Sequence, residues 1–212
     1  VIADSAHALG ARTIFRGEEL MIGAVADITS FSFHAVKNFT TGEGGVMTWH
    51  IEGADDEEIY QKLQLFSLHG QSRDALTKDL LGDWEYDIIG PWYKYNMTDI
   101  NAGIGLGQLS RYPKLLARRR EIIERYDKAF KPMGISTLEH YNEKHTSSGH
   151  VYMCRIPGID EKERNIIIHK MAQAGIACNV HFKPLPMLTA YKNMGFKIED
   201  YPNAYNLFKN EI

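Results

Sequence analysis

The sequence predicts an α/β fold in two successive parts, and three observations support this class. Short apolar, β-prone segments in the first part end at polar residues, as is typical of strands in a parallel sheet. A long helical pattern over 114–130 follows, of the length that commonly bridges two lobes. After Gly134 the order becomes strand, helix, strand, helix, which is typical of a small α/β domain. We therefore expect one part over 1–112 and a second over 113–212.

The composition of the 212-residue chain is that of a globular protein. Hydrophobic residues make up 44% of it, enough for a core, and the formal net charge of −3 with no concentrated basic face argues against nucleic-acid binding. The two cysteines form no CxxC pair, and the nine histidines lack HExxH spacing, so no metal site is expected. Without an apolar run of bilayer length or a signal peptide, the expected location is the cytoplasm and no membrane is involved.

The chain opens on a predicted strand, 1–3, which is expected to be buried in a parallel sheet with Asp4 at its carboxyl end. Two interpretations of Asp4 are open. It either caps a following helical turn or faces a bound heterocycle and keeps a ring nitrogen protonated. His7 lies one turn further on and would ordinarily be a structural histidine.

A second strand, 28–33, ends in a loop that carries Lys37. Glycines five, seven and eight residues after this lysine precede the strand 46–49. They have two compatible interpretations, as turn residues and as positions where the backbone approaches a bound group closely. A lysine in a partly dry pocket loses its proton more easily, and a neutral amine can attack a carbonyl to form a Schiff base. The alternative is a surface lysine that merely ends a strand. The nearby serine, the glycines and Asp4 favour the catalytic interpretation.

The middle of the chain predicts a helix over 55–68, opened by Asp55 and ended before Gly70. The segment 71–95 has no sustained period. Its aromatic residues mark either a pocket or interface rim or ordinary loop anchors. These residues are Trp84, Tyr86, Trp92 and Tyr93.

The next helix is predicted to begin after Thr98, a suitable N-cap. Its glycines at 103, 105 and 107 each cost about 1 kcal/mol relative to alanine, so close packing must compensate. Pro113 then fits the first turn of the long helix.

The second part contains a capping box, Asp160 with Glu163, that predicts a helix ending near Gly175. The other predicted features are a strand over 151–156, a strand over 176–182, an irregular segment over 183–186 and an amphipathic helix that includes 207–212. Because the chain begins inside a strand without methionine and ends inside a helical pattern, we expect a fragment cut at both ends.

Four motifs occur in order along the chain: VIADSAHALG (1–10), FSFHAVKN (31–38), TGEGG (41–45) and YKYNMTDINA (93–102). Together they resemble the DegT/StrS sugar aminotransferases, fold-type-I enzymes that use pyridoxal 5′-phosphate. Arg118, Arg119 and Arg120 followed by Tyr126, and NVHFKPL (179–185), extend the likeness over nearly the whole chain. The resemblance implies that the first part is the C-terminal portion of the large mixed-sheet cofactor domain, and that the second is an incomplete small domain.

The resemblance also assigns roles to residues of the first part. Lys37 matches the lysine that binds the cofactor covalently and moves a proton between substrate and cofactor. Asp4 matches the carboxylate that pairs with the pyridinium nitrogen. His7 stands where the family has glutamine or histidine near the ring hydroxyl, and Ser32 matches a phosphate ligand.

The remaining assignments concern substrate and partner subunit. Asn96 matches an asparagine that reaches the phosphate of the neighbouring subunit's cofactor, which implies a homodimer with a shared active site. His181 and Phe182 lie in a segment that approaches substrate. The implied reaction transfers an amino group from glutamate to a nucleotide-linked keto sugar, for surface polysaccharide or a glycosylated metabolite.

Two other functions remain open at this point. Some members of the family are sugar dehydratases, in which histidine replaces the lysine, whereas here Lys37 is present. The third possibility is a truncated, non-catalytic binding module, since the family's large domain normally begins well before Val1 and its last helices continue beyond Ile212.

Overall fold

A computed structural model describes residues 1–72 and 85–212 of the chain. They form two compact units, Val1–Pro113 and Lys114–Ile212. Trp84, one of the aromatic residues singled out above, lies outside the described residues. Within them, no helix is long and apolar enough to cross a bilayer, and no group of three or more metal-ligating side chains is found.

The first unit contains a three-stranded mixed sheet of β1 (Ile2–Asp4), β4 (Ile28–Ser32) and β5 (Gly45–Trp49), in the order β1-β4-β5. β1 runs parallel to β4, and β5 runs antiparallel to it. The strands are therefore as predicted. The expected burial of the first strand is wrong for the described chain, because β1 is the edge of this sheet and Ile2 is 77% exposed.

A β-hairpin lies between β1 and β4. β2 (Arg12–Phe15) pairs antiparallel with β3 (Glu18–Met21). Its two turn residues, Arg16 and Gly17, have φ of 52° and 89°, the sign required by a tight turn that matches the twist of the strands. The sequence analysis predicted no strands here, because both are short and in each of them two polar residues precede two apolar ones instead of alternating with them.

Two helices complete the first unit, α1 (Asp56–Ser67) and α2 (Asp99–Leu109). The N-cap predicted for α2, Thr98, is confirmed, and Asp55, which was predicted to open the first helix, is the N-cap of α1. The Asp55 carboxylate accepts hydrogen bonds from two backbone N–H groups of α1, and the Thr98 hydroxyl accepts one from the Asn101 N–H.

The glycines of α2 do not share one explanation. Gly105 is buried, and a Cβ there would lie 3.0 Å from Cγ2 of Thr41, so the close packing predicted for this helix is confirmed at that position. At Gly103 and Gly107, an added Cβ would meet no atom of the described chain within 4 Å, so the prediction is wrong there.

The second unit is built on the long helix α3 (Tyr112–Phe130), whose first two residues belong to the first unit. The elements that follow it are short: β6 (Ser136–Thr137), β7 (His145–Thr146), β8 (Cys154–Arg155), α4 (Glu161–Gln173), α5 (Thr189–Asn193) and α6 (Pro202–Phe208). β6 and β8 pair antiparallel. The capping box of Asp160 and Glu163 at the start of α4 is confirmed.

Three predictions for the second unit need correction. The strand over 151–156 is reduced to β8, and the segment 176–184 contains no helix or strand. An apolar, β-branched run favours extended backbone, but a strand also needs a partner for its ladder. The last helix ends at Phe208 rather than continuing to Ile212, and the irregular segment 183–186 leads into a single 3₁₀ turn over Leu185–Met187.

Asp127 on α3 organises a polar cluster inside the second unit. Its Oδ1 accepts hydrogen bonds from the Tyr152 hydroxyl at 2.7 Å and the Thr137 hydroxyl at 3.2 Å, and its Oδ2 accepts one from Lys131 Nζ at 2.7 Å. Burial would raise the pKa of Asp127, but the hydrogen bonds outweigh burial and hold that pKa below its usual value. Burial, aided by the neighbouring carboxylate, raises the pKa of Tyr152.

This cluster leads to a prediction about stability. Replacing Tyr152 by phenylalanine removes a hydrogen bond to a charged group and should lower the free energy of unfolding by about 1.5 kcal/mol at neutral pH. An aspartate whose pKa is lower in the folded than in the unfolded protein stabilises the fold at pH values above its unfolded-state pKa. This stabilisation is lost as the pH falls through the lower pKa of the folded state. The difference between wild type and Tyr152→Phe should therefore narrow below about pH 4.

Thermal unfolding of the intact protein at neutral and acidic pH measures this effect. Tyr205→Phe, at a more exposed position in the same unit, is the control. A Tyr152→Phe variant as stable as wild type, or a difference that widens on acidification, would contradict the expected role of Asp127.

Candidate active site

Lys37 lies in a loop whose two ends are joined by backbone hydrogen bonds. The Phe33 N–H donates to the Gly44 carbonyl at 2.8 Å, and the Thr41 N–H donates to the Phe33 carbonyl at 3.0 Å. Within this loop, the Lys37 N–H donates to the His34 carbonyl at 2.9 Å, and the lysine side chain is half-buried. The backbone that carries the lysine is therefore fixed directly after the end of β4.

Two of the glycines after Lys37 have backbones that other residues rarely adopt. Gly42 has φ of 83° and Gly44 has φ of 151°. A Cβ on Gly44 would lie only 2.5 Å from Oγ1 of Thr41. The hydroxyl of Thr41 donates to the Glu43 carbonyl at 2.8 Å, which holds the loop in this tight form. These contacts support the turn interpretation of the glycines.

Asp4 ends β1 and does not cap a helix. Its Oδ1 accepts a hydrogen bond from the Ala6 N–H at 3.1 Å, so the carboxylate holds the turn that follows, and no regular helix begins there. The Ser5 N–H donates to the Ser30 carbonyl at 2.9 Å and extends the pairing with β4 by one residue. The carboxylate is exposed, as is His7 in the turn that follows.

The parallel register places the carboxyl ends of β1 and β4 side by side. Asp4 pairs with Ser30, so Ser32 lies two residues further along the neighbouring strand, on the same face as Ser30. The Ser32 hydroxyl accepts a hydrogen bond from the His34 N–H at 3.3 Å. Carboxyl ends of adjacent strands are where α/β folds bind ligands. The strand end with Asp4 therefore adjoins the strand end that carries Ser32 and leads into the loop of Lys37.

Asn96 belongs to the same unit and precedes α2. Its Oδ1 accepts a hydrogen bond from Lys94 Nζ, its Nδ2 donates to the Met97 carbonyl at 3.4 Å, and the residue is exposed. One hydrogen bond joins this region to the loop of Lys37, since Asn101 Nδ2 donates to the Glu43 carbonyl at 2.7 Å. The start of α2 and the glycine-containing loop are thus held together.

His181 and Phe182 lie in the second unit, within the segment that has no regular secondary structure. Phe182 is 67% exposed, and its ring centroid is 4.0 Å from that of His181. The His181 N–H donates to Oε1 of Glu211 at 3.1 Å. This segment therefore presents an exposed aromatic side chain from a backbone tied to a carboxylate.

The sequence analysis gave no role to Glu211 or Arg164, which are 1% and 2% exposed. Burial raises the pKa of Glu211, opposed by the hydrogen bond from the His181 N–H and by nearby positive charges. No feature of the sequence predicts the burial of either residue, because an isolated charged residue in a helical pattern is ordinarily exposed.

The chain is similar in sequence and in structure to known proteins. Residues 1–212 match the model of the DegT/DnrJ/EryC1/StrS aminotransferase family. The uncharacterised protein MJ1066 of Methanocaldococcus jannaschii is 42% identical over 218 residues, which cover 100% of this chain and 53% of that protein. The spore coat polysaccharide biosynthesis protein SpsC of Bacillus subtilis is 38% identical over 221 residues, again 100% of this chain and 53% of that protein.

Among solved structures, Spr1654 from Streptococcus pneumoniae, described as a candidate sugar aminotransferase, is 55% identical in its PMP form. The TM-score is 0.90, and the match covers 99% of this chain and 52% of that chain. The same protein has been solved in PLP and apo forms. This chain spans about half the length of the relatives it matches. The family match over the whole sequence and the similarity of structure confirm the fold-type-I class, and the chain belongs to the DegT/DnrJ/EryC1/StrS aminotransferase family.

Proposed function

We propose that the complete protein is a pyridoxal-phosphate-dependent aminotransferase that transfers an amino group from glutamate to a nucleotide-linked keto sugar. The observation that supports the proposal is the parallel register, in which the end of β1 with Asp4 adjoins the end of β4, which carries Ser32 and leads into the loop of Lys37. Spr1654 has been solved in PLP and PMP forms, and SpsC acts in polysaccharide biosynthesis, which supports the choice of cofactor and of substrate class.

The side chains at this edge fit the chemistry of pyridoxal phosphate. The cofactor presents an aldehyde, a basic ring nitrogen and a phosphate. The chain offers an amine at Lys37 for the aldehyde, a carboxylate at Asp4 for the protonated nitrogen, and a hydroxyl at Ser32 for the phosphate. When bound, the cofactor supplies an electron sink for the charge left after a proton is removed.

The chain's own residues would then have separate tasks. The Lys37 amine binds the cofactor covalently and carries a proton to and from the substrate carbon. The Asp4 carboxylate would hold a proton at the ring nitrogen, and His7 would interact near the ring hydroxyl. Asn96 would reach the cofactor phosphate of a second subunit, so that a homodimer shares its active sites.

The assignment of the two units follows from this proposal. Residues 1–112 are the C-terminal portion of the large cofactor-binding domain, and residues 113–212 are part of the small domain. His181 and Phe182 contact the sugar substrate from that small domain. The proposal places the protein in the cytoplasm, in a route to a surface polysaccharide or a glycosylated metabolite.

Two half-reactions test the proposed function. Glutamate added to the intact holoenzyme should abolish the visible absorbance of the cofactor bound at Lys37, and a nucleotide-linked keto sugar should restore it and yield an amino sugar. The same absorbance measurement with free alanine in place of free glutamate compares the two amino acids as amino donors. A deoxy sugar product without nitrogen would identify a dehydratase instead. Absorbance that no amino donor changes would contradict amino transfer.

A further inference from the structure

The backbone at His181 is held by a side chain that belongs to a distant part of the chain. The segment 176–184 contains no helix or strand, so no ladder fixes its position. The His181 N–H instead donates to Glu211 Oε1 at 3.1 Å, thirty residues away in sequence. Hydrogen bonds to a charged acceptor are stronger than neutral ones.

Glu211 itself lies on a fixed backbone. The neighbouring residue Ile212 exchanges two backbone hydrogen bonds with Cys154 of β8, both at 2.8 Å. The Ile156 N–H donates to the Asn210 carbonyl at 3.0 Å, on the other side of Glu211. β8 is paired with β6 in turn. The carboxylate therefore projects from chain that is held along a strand.

Arg164 of α4 fixes the same region from another side. Its Nη1 donates to the carbonyls of Phe208 and Glu211, at 2.9 and 3.1 Å. Its guanidinium carbon lies 4.6 Å from the centroid of the Phe208 ring. Three segments therefore meet around a buried Arg and a buried Glu: α4, the chain along β8, and the segment of His181.

The burial of the Glu211 carboxylate needs an explanation. Its side chain is almost wholly inaccessible, and Oε2 has no hydrogen-bond partner among the described residues. A buried carboxylate costs stability unless hydrogen bonds and nearby positive charges compensate for the loss of water. The hydrogen bond from the His181 N–H and the nearby positive charges, which oppose the effect of burial on the pKa of Glu211, provide this compensation.

We propose that Glu211 is a positioning residue that holds the backbone of His181 and thereby the exposed Phe182 side chain against the sugar substrate. This inference rests on the proposed function, because it assigns His181 and Phe182 to substrate contact. Glu211 acts through the segment and touches neither cofactor nor substrate. Its loss should therefore weaken sugar binding more than the reaction of the cofactor with the amino donor.

Two variants of the intact holoenzyme separate the acceptor from the charge. Glu211→Gln keeps an oxygen that accepts from the His181 N–H, whereas Glu211→Met fills similar space without an acceptor. In Glu211→Met, amide hydrogen exchange at His181 should be about 10-fold faster, and KM for the keto sugar nucleotide about 10-fold higher. The glutamate half-reaction should keep its wild-type rate. In Glu211→Gln, the exchange rate at His181 and the KM for the sugar should both remain close to wild type.

Asp127→Asn is the matched control, because it alters another partly buried carboxylate of the same unit. It should lower the unfolding temperature and leave His181 exchange and the sugar KM unchanged. The proposal is overturned if Glu211→Met leaves both quantities at their wild-type values, or if Gln and Met have equal effects. If Glu211→Met does not fold, Glu211→Asp replaces it, since a carboxylate one methylene shorter should also lose the bond and raise both quantities.

Failure of the proposed function gives a different result. A wild-type protein whose absorbance does not respond to any amino donor would remove the aminotransferase assignment, and with it the substrate-positioning role. Exchange at the His181 amide would still report whether Glu211 holds the segment. A loss of exchange protection without any change in sugar KM would show a structural bond only and would overturn the positioning role.

Discussion

Replacing Lys37 by alanine in the intact protein is expected to lower the rate of amino transfer by at least about 1,000-fold, because one side chain serves as both covalent attachment point and proton carrier. The loop around it is held by backbone hydrogen bonds at Phe33, Thr41 and Gly44, so removal of the side chain should leave the fold intact. Steady-state kinetics with glutamate and a keto sugar nucleotide, together with the unfolding temperature, measure both effects.

Two further variants show whether the amine itself matters. Lys37→Arg keeps a positive charge, but a guanidinium does not lose its proton, so this variant should be as inactive as Lys37→Ala. Lys62→Ala removes a lysine that pairs with Glu58 at 2.6 Å on the surface of α1, and its activity should equal that of wild type. A Lys37→Arg variant with wild-type activity would show that charge alone suffices and would contradict the proposed role.

Replacing Asp4 by asparagine should lower kcat about 100-fold or more, because a negative charge that stabilises the protonated ring nitrogen is lost. The substitution is well matched to the structure. Oδ1 of Asp4 accepts a hydrogen bond from the Ala6 N–H at 3.1 Å, and the amide oxygen of asparagine can accept the same bond. The turn after β1 should therefore survive, and the unfolding temperature should remain close to that of wild type.

Asp4→Ala separates the charge from the turn. It removes both the charge and the acceptor for the Ala6 N–H, so it should lose activity to the same extent as Asp4→Asn and also lose some stability. If Asp4→Asn retained wild-type kcat while Asp4→Ala did not, the carboxylate would serve the turn alone, and its assignment to the ring nitrogen would be wrong.

The first unit could be predicted largely from local sequence because its signals are local. The strand that ends at Asp4 and the strand that precedes the loop of Lys37 are apolar runs with polar ends. The caps of α1 and α2 are single residues whose side chains accept hydrogen bonds from nearby backbone N–H groups. The hairpin of β2 and β3 was missed because half-exposed, charged strands lack the apolar alternation that identifies a strand.

The second unit shows where local signals are insufficient. The run 176–182 has the composition of a strand, yet it lies outside any ladder of the described chain, because pairing depends on a partner that the run does not specify. The burial of Glu211 and Arg164 likewise results from the approach of α4, β8 and the chain after α6. Only the assembled structure shows that approach.

Asp4 and Ser32 lie at adjoining strand ends of one unit, and the loop of Lys37 follows directly after Ser32. The roles of these three residues toward the cofactor, and those of His7, Asn96, His181 and Phe182, are predictions.

The most direct measurement is chemical reduction of the intact holoenzyme with borohydride, followed by proteolysis and mass analysis of the peptides. Reduction makes the bond between a lysine amine and the cofactor permanent. We predict that the pyridoxyl group is found on the peptide that contains Lys37. Its presence on a different lysine, or on none, would contradict the account.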